Sequence, residues 1–131
     1  MKNHFKYLFF LLVFAFTTNA SFAQKKKTKE SKYDVQGPFY NGLARVKQNK
    51  KWGFIDTTGS MIIPLKYDQV ENFSDGIAKV RIDHRWGLVN TSGTQIIKPM
   101  FDFIYDFENG KAKVTAGGKT AYIDKNGNLL K

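Results

Sequence analysis

Few side chains in this sequence are suited to chemistry, and most of those recur at a fixed spacing. There is no cysteine, and the two histidines are His4 and His84. A Ser-His-Asp or Cys-His set needs a base placed beside its nucleophile, and His84 is the one histidine outside the first residues. It stands in the dipeptide Asp83-His84, which reads as a solvated turn and not as a base or ligand. The acids mostly recur: Asp34, Asp68 and Asp102 align, as do Asp56 and Asp124 with Asn90 between them. A catalytic group occurs once, whereas scaffold residues repeat. Asp and Asn at turns and strand ends are suited to Asx-type hydrogen bonds more than to proton transfer. No His, Cys, Asp or Glu spacing suits a metal, and the glycines fall in turns, not in a phosphate-binding loop. The pattern points away from an enzyme and calls for no cofactor.

Two further sets are suited to binding. Bases recur in pairs: Arg45 and Lys47, Lys79 and Arg81, Lys111 and Lys113. Such a basic face fits an acidic protein or an anionic envelope polymer, with plain solubility and protection of strands by charge as the alternative. Trp52, Trp86, Tyr40, Tyr105 and Tyr122 offer flat rings to sugars, a carbohydrate-binding alternative. Against it stands the simpler role of repeated aromatics as the core of a small β-protein without disulfides.

What positions these residues is a repeat of 34 residues. Phe39, Phe73 and Phe107 align, as do Gly42, Gly76 and Gly110; Ala44, Ala78 and Ala112; Val46, Val80 and Val114; and Gly59, Gly93 and Gly127. Three units follow, 33–66, 67–100 and 101–131, and a fixed period of this length signals a repeat architecture. Each unit has three turn signals: Asn41-Gly42, Asn49-Lys50 and Thr58-Gly59 in the first, with counterparts in the others. Asn, Asp and Gly tolerate the positive φ that tight hairpins require. The runs between them are of strand length, so each unit is an antiparallel β-meander of three strands. The Tyr67–Phe73 link is open between a fourth strand and a helical turn.

Alternation along the first strand puts Ala44, Val46 and Gln48 on one face and Leu43, Arg45 and Lys47 on the other. The small apolar face is expected to be core, and the other to be a free basic face. The second strand has apolar residues on both sides, so it is expected to be central, its glycine admitting a neighbouring backbone or the tryptophan ring.

Gly42-Leu43-Ala44-x-Val46, Lys51-Trp52-Gly53-Phe54-Ile55-Asp56, Gly59, Ile62-Ile63-Pro64 and Tyr67-Asp68 resemble the WG-repeat family. The second unit repeats the match through Gly76-Ile77-Ala78-x-Val80 and Arg85-Trp86-Gly87-Leu88-Val89-Asn90. The repeat signature Trp52-Gly53 and Trp86-Gly87 is replaced in the third unit by Thr120-Ala121, which suggests a cap. The resemblance implies a β-rich scaffold with an interaction role and no catalytic residues to carry over.

Residues 1–23 have the layout of a secretory signal peptide. Lys2 and Lys6 precede the apolar run Tyr7–Phe16, and Ser21-Phe22-Ala23 offers a cleavage site before Gln24. That run falls short of the roughly 20 residues that span a bilayer, so no stable membrane span is expected after cleavage. The net charge of +10 is unevenly spread: residues 24–32 hold five lysines against Glu30, while residues 33–131 hold fourteen bases against ten acids. The lysine-rich leader is expected to be a disordered spacer. The whole predicts an all-β protein of tandem meanders after a cleaved signal peptide, stacked as an open solenoid-like or a propeller-like array. Its expected role is a periplasmic or extracellular, non-catalytic interaction module for a protein or an anionic envelope component. A structural repeat unit assembling with other WG-repeat chains is the alternative, so an oligomer stays open. Nucleic acid is not an expected partner of an exported chain.

Overall fold

The computed structural model describes residues 30–131. The expected signal peptide, and residues 24–29 of the expected leader, lie outside the described residues. Twelve strands fill the described part, in three four-stranded antiparallel sheets with meander order. Sheet 1 holds β1 (Val35–Tyr40), β2 (Leu43–Gln48), β3 (Lys51–Asp56) and β4 (Met61–Tyr67). Sheet 2 holds β5 (Gln69–Val70), β6 (Ile77–Ile82), β7 (Arg85–Asn90) and β8 (Gln95–Phe101). Sheet 3 holds β9 (Phe103–Ile104), β10 (Lys111–Ala116), β11 (Lys119–Asp124) and β12 (Leu129–Leu130). The meander therefore has four strands per unit, not three. The Tyr67–Phe73 link contains the short strand β5, because β4 runs on to Tyr67 and hands the chain straight to the edge of the next sheet.

The hairpins form where the turn residues demand. Asn41 and Gly42 have φ of 50° and 78°, and Asn49 and Lys50 have 50° and 67°. Two consecutive positive φ values match the right-handed twist of the strands they join. The third turn of each unit works differently. Only its glycine, such as Gly59 at φ 86°, is left-handed, and a carboxylate or amide holds the loop.

The signature glycine has a steric cause. Along β3 and β4, Trp52 pairs with Tyr67 but Phe54 pairs with Ile63, so β4 bulges around Pro64–Lys66. The bulge lays backbone over Gly53: a Cβ there would run into the Ile63 carbonyl oxygen and lie 2.9 Å from the Pro64 carbonyl carbon. Gly87 stands the same way under β8, where a Cβ would be 2.7 Å from the Pro99 nitrogen. The expected close approach is thus made by backbone, not by the tryptophan ring. In sheet 3, β12 pairs with β11 only through Tyr122↔Leu130 and Ile123↔Leu129. No bulged strand among the described residues crosses Ala121, and a methyl group fits there.

The sheets pack face to face in chain order. Ala78, Val80 and Val89 of sheet 2 share one buried cluster with Leu43, Phe54, Ile63 and Tyr67 of sheet 1. Ala112, Val114 and Ile123 of sheet 3 likewise meet Trp86, Leu88, Ile97 and Phe101 of sheet 2. The equivalent small face of sheet 1, Ala44, Val46 and Ile55, clusters with Tyr33. The third turn of each later unit presses on the sheet before it. A Cβ on Gly93 would lie 2.8 Å from the Ile62 carbonyl oxygen, and one on Gly127 2.8 Å from the Ile97 side chain. So the face opposite Ala44 and Val46 is not free: in sheets 1 and 2 it is the surface on which the next sheet is laid.

Adding a methyl under the bulge should be costly and under β11 cheap. Gly53→Ala is expected to destabilise the protein by about 2–3 kcal/mol, and Ala121→Gly by under about 1 kcal/mol. Urea unfolding of the two variants checks this; equal losses would remove the steric account of the signature.

Candidate binding surface

The recurring acids serve the backbone. The side chain of Asp34 accepts a hydrogen bond from the Asn49 amide at 3.0 Å, Asp68 from Asp83 at 3.0 Å, and Asp102 from Gly117 at 2.7 Å. Each ties the start of a unit to its second turn. Asp68 and Asp102 also pair with Lys51 and Arg85 of the preceding sheet. At the third turns, Asp56 Oδ1 accepts from the Thr58 hydroxyl at 2.6 Å and from the amides of Thr58 and Ser60 at 2.9 and 3.0 Å. Asn90 and Asp124 repeat the pattern with Ser92 and Thr94, and with Asn126 and Asn128. Donors crowding an anionic oxygen favour its charged form. The Thr58 hydroxyl and the Ser60 amide hold Asp56 below the ordinary aspartate value of 3.8, and the Asn128 side chain and amide do the same for Asp124.

Most of the expected basic face is occupied. Arg45 and Lys47 both lie over the Trp52 ring, each 5.4 Å from its centre. Arg81 lies 5.8 Å from the Trp86 ring and donates to Gln69 Oε1 at 2.8 Å. Its other terminal nitrogen is 3.1 Å from His84 Nδ1, in an exposed turn. Lys79 is the most enclosed base, its side chain 13% exposed between sheets 2 and 3. Its Nζ pairs with Glu71 at 2.9 Å and Asp106 at 2.8 Å, and donates to the Ile104 carbonyl at 3.3 Å. Burial alone would lower its pKa, but the Asp106 and Glu71 bonds outweigh it and leave the ammonium favoured. The continuous free face expected from alternation does not exist here, because stacking covers it in two sheets of three. Lys111 and Lys113 are the exception. Both are exposed on sheet 3.

The aromatics divide the same way. Trp86 is buried and Trp52 half-buried under its two bases, which makes them packing residues. Tyr40, Tyr105 and Tyr122 are exposed. Tyr105 stands opposite Lys113 across β9 and β10, and Tyr122 opposite it across β10 and β11. A Tyr–Lys–Tyr row thus crosses three strands on one face, with Lys113 Nζ 5.1 Å from the Tyr105 ring. Phe103 extends it, its ring edge-on to Tyr105 at 4.8 Å and to Trp86 at 6.4 Å. The row borders an open depression of about 480 Å³ that also includes Lys111, Asp106, Glu108 and Asn109. A smaller groove of about 160 Å³, with Lys79 and Leu88 in its wall, runs between sheets 2 and 3. Among the described residues, no group of three His, Cys, Asp or Glu is placed to hold a metal ion, and no helix is long and apolar enough to cross a membrane. Sequence inspection named Tyr105, Tyr122 and Lys113 separately. It missed that they form a row, and it missed Phe103. The available signal was alignment with Glu71, Lys79 and Leu88.

The profile of a family described as "WG containing repeat" matches residues 29–52, 52–84 and 86–119. No curated protein and no solved structure matches the chain.

Asp56 and Asp124 have depressed folded-state pKa values, so their contribution is present above the unfolded value near 3.8 and is lost as pH falls through the lower folded value. Asn90 shows that an amide fills the same role without charge. Asp56→Asn should therefore keep the fold at neutral pH while flattening the acid limb of the stability–pH curve, which urea midpoints across the acid range will measure. A second expectation concerns the Arg45 Nε and the Asn72 Oδ1, which are buried without a hydrogen-bond partner among the described residues. They occupy the positions equivalent to Lys79 and Asp106. Asn72→Asp should supply the missing charge-assisted bond and stabilise the protein by about 1 kcal/mol, read as a raised urea midpoint.

Proposed function

Because this chain belongs to the WG containing repeat family, we propose that it is an exported, non-catalytic interaction module that holds an acidic partner on the open face of sheet 3. One observation carries this. Lys111 and Lys113 stand without a salt bridge among the described residues, on the face that sheets 1 and 2 use to bury the next sheet. At those positions units 1 and 2 have Leu43 and Arg45, and Ile77 and Lys79. An apolar residue has become a lysine, and the remaining base has lost its acid. Two cations beside exposed tyrosine rings attract an anionic surface over several ångströms and grip it at contact. The recurring acids are tied to turns, which fits a scaffold role. Export to the periplasm or beyond rests on the signal-like layout of residues 1–23, and an acidic protein or an anionic envelope polymer is the partner class that location offers.

Poly-L-glutamate serves as a defined acidic probe. The mature protein is expected to bind it at low salt and to release it as salt rises. Lys111→Glu with Lys113→Glu should weaken binding strongly, down to what the leader lysines contribute, whereas Lys50→Glu with Lys98→Glu, an equal change of net charge at exposed positions, should reduce it only modestly. Equal losses in the two double variants would reduce the effect to net charge and remove the site. Export is checked separately by the N-terminus of the mature protein, expected at Gln24; an intact Met1 in the secreted fraction, or no secretion, would refute it.

A further inference from the structure

Resting on that reading, we infer that the open face of sheet 3 takes a protein segment in which an acid is followed by phenylalanine. The molecule contains two occupied versions of this site. In sheet 2, Lys79 and Leu88 are cross-strand partners, and the incoming Asp106-Phe107 of sheet 3 lies on them. Asp106 pairs with Lys79, and Phe107 packs against the cluster that includes Leu88. In sheet 1, Arg45 and Phe54 are the cross-strand partners. The incoming Asn72-Phe73 places the Phe73 ring edge-on to Phe54 at 4.8 Å. In both, a phenylalanine lands on the apolar neighbour of a base; the base itself receives a carboxylate in sheet 2, whereas in sheet 1 Arg45 Nε and Asn72 Oδ1 stay without a hydrogen-bond partner among the described residues.

Sheet 3 repeats the receiving half. Lys113 and Tyr122 are cross-strand partners in the same register. Tyr122 is 50% exposed, and Lys113 has no acid partner among the described residues. An aromatic edge on Tyr122 is the counterpart of Phe73 on Phe54, and a carboxylate on Lys113 is the counterpart of Asp106 on Lys79. Lys111, where the other units have Leu43 and Ile77, adds a second cation and so raises the preference for a carboxylate over an amide. Asp106 already engages Lys79 and offers Lys113 little competition.

The same comparison limits the occupant. A whole further sheet is laid on Leu43, Phe54, Ile63 and Tyr67, or on Leu88, Ile97 and Phe101. Sheet 3 presents Lys111 at the first of these positions and Thr120 in place of the tryptophan, so the broad apolar platform is missing. What remains fits a short segment. A second copy of this chain is a poor match, because its aligned residues are Pro38-Phe39, and proline brings no acceptor to meet Lys113. The occupant is a partner protein presenting an Asp-Phe step at a turn, as residues 105–110 do here.

The test is an NMR titration of the labelled mature protein with a synthetic peptide of residues 105–110, carried to millimolar concentration. Saturable shifts are expected at Lys111, Lys113, Tyr105 and Tyr122. Replacing the peptide's aspartate by asparagine or its phenylalanine by alanine should weaken binding roughly tenfold, as should Lys113→Gln or Tyr122→Ala, both at exposed positions. A peptide of residues 37–42, which carries Pro38-Phe39, should bind weakly. Poly-L-glutamate and polygalacturonate run in parallel. If they bind through Lys113 while the peptide shifts nothing, the acidic-partner reading stands and the Asp-Phe proposal falls. If peptide binding is insensitive to loss of its phenylalanine, the proposal also falls. If none of the probes binds, both fall.

Discussion

Everything in this structure depends on one packing relation: the small faces of sheets 2 and 3, an alanine and a valine on the second strand of each, lie against the large apolar residues of the sheet before. Ala78 and Val80 are small because Phe54 and Phe73 occupy the space between sheets 1 and 2. Ala112 and Val114 are small because Leu88 and Phe107 do so one step later. Antiparallel strands need a hydrophobic face packed on something to be stable in water, and here each sheet finds that cover on a neighbouring sheet. The repeat is therefore a unit of sequence, while the unit of cohesion is the interface between two sheets. Gly93 and Gly127 in the third turns of sheets 2 and 3 permit the close spacing, since a side chain there would strike the Ile62 carbonyl or the Ile97 side chain of the previous sheet.

This relation explains what could be read from the amino acids and what could not. Strands and turns are local: alternation and Asn-Gly steps determine them within a few residues, and the hairpins fall where those residues stand. The Trp-Gly signature was visible as a pattern, yet its cause is a bulge in β4 that involves Pro64–Lys66, on the next strand. Bulges leave no alternation signature, so nothing nearby announced the reason for Gly53. The fourth strand was ambiguous for a related reason. β5 has two residues, too few for a period, and it exists because Asp68 and Glu71 amides bond to Arg81 and Lys79 across the sheet.

The bases show a different limit. Alternation correctly separates Arg45 from Ala44, but it says nothing about what lies beyond the face on which Arg45 stands. With three layers in series, both faces of an inner sheet are covered. A base on a covered face needs a partner there: Lys79 meets two acids, Glu71 and Asp106, while Arg45, Lys47 and Arg81 lie over tryptophan rings. The aliphatic stems of Lys and Arg tolerate this position because they pack against rings while the charged ends reach an edge or a partner. Four of the six expected bases are thus engaged within the stack, and the exposed pair Lys111 and Lys113 stands out only by comparison with its covered equivalents.

That comparison also bears on why sheet 3 departs from the pattern. A face with no further sheet on it must shed apolar area, and Lys111 in place of leucine or isoleucine does so. Solubility alone would be served equally by serine, threonine or glutamate at the remaining positions. Instead, tyrosines occupy 105 and 122, on either side of Lys113, and the Phe103 ring stands edge-on between Tyr105 and Trp86 of the sheet below. Tyrosine retains an aromatic surface at low conformational cost, which suits recognition better than mere shielding. The aromatic and basic residues of sheet 3 thus stand in the register in which sheet 2 holds Asp106 and Phe107 and sheet 1 holds Phe73.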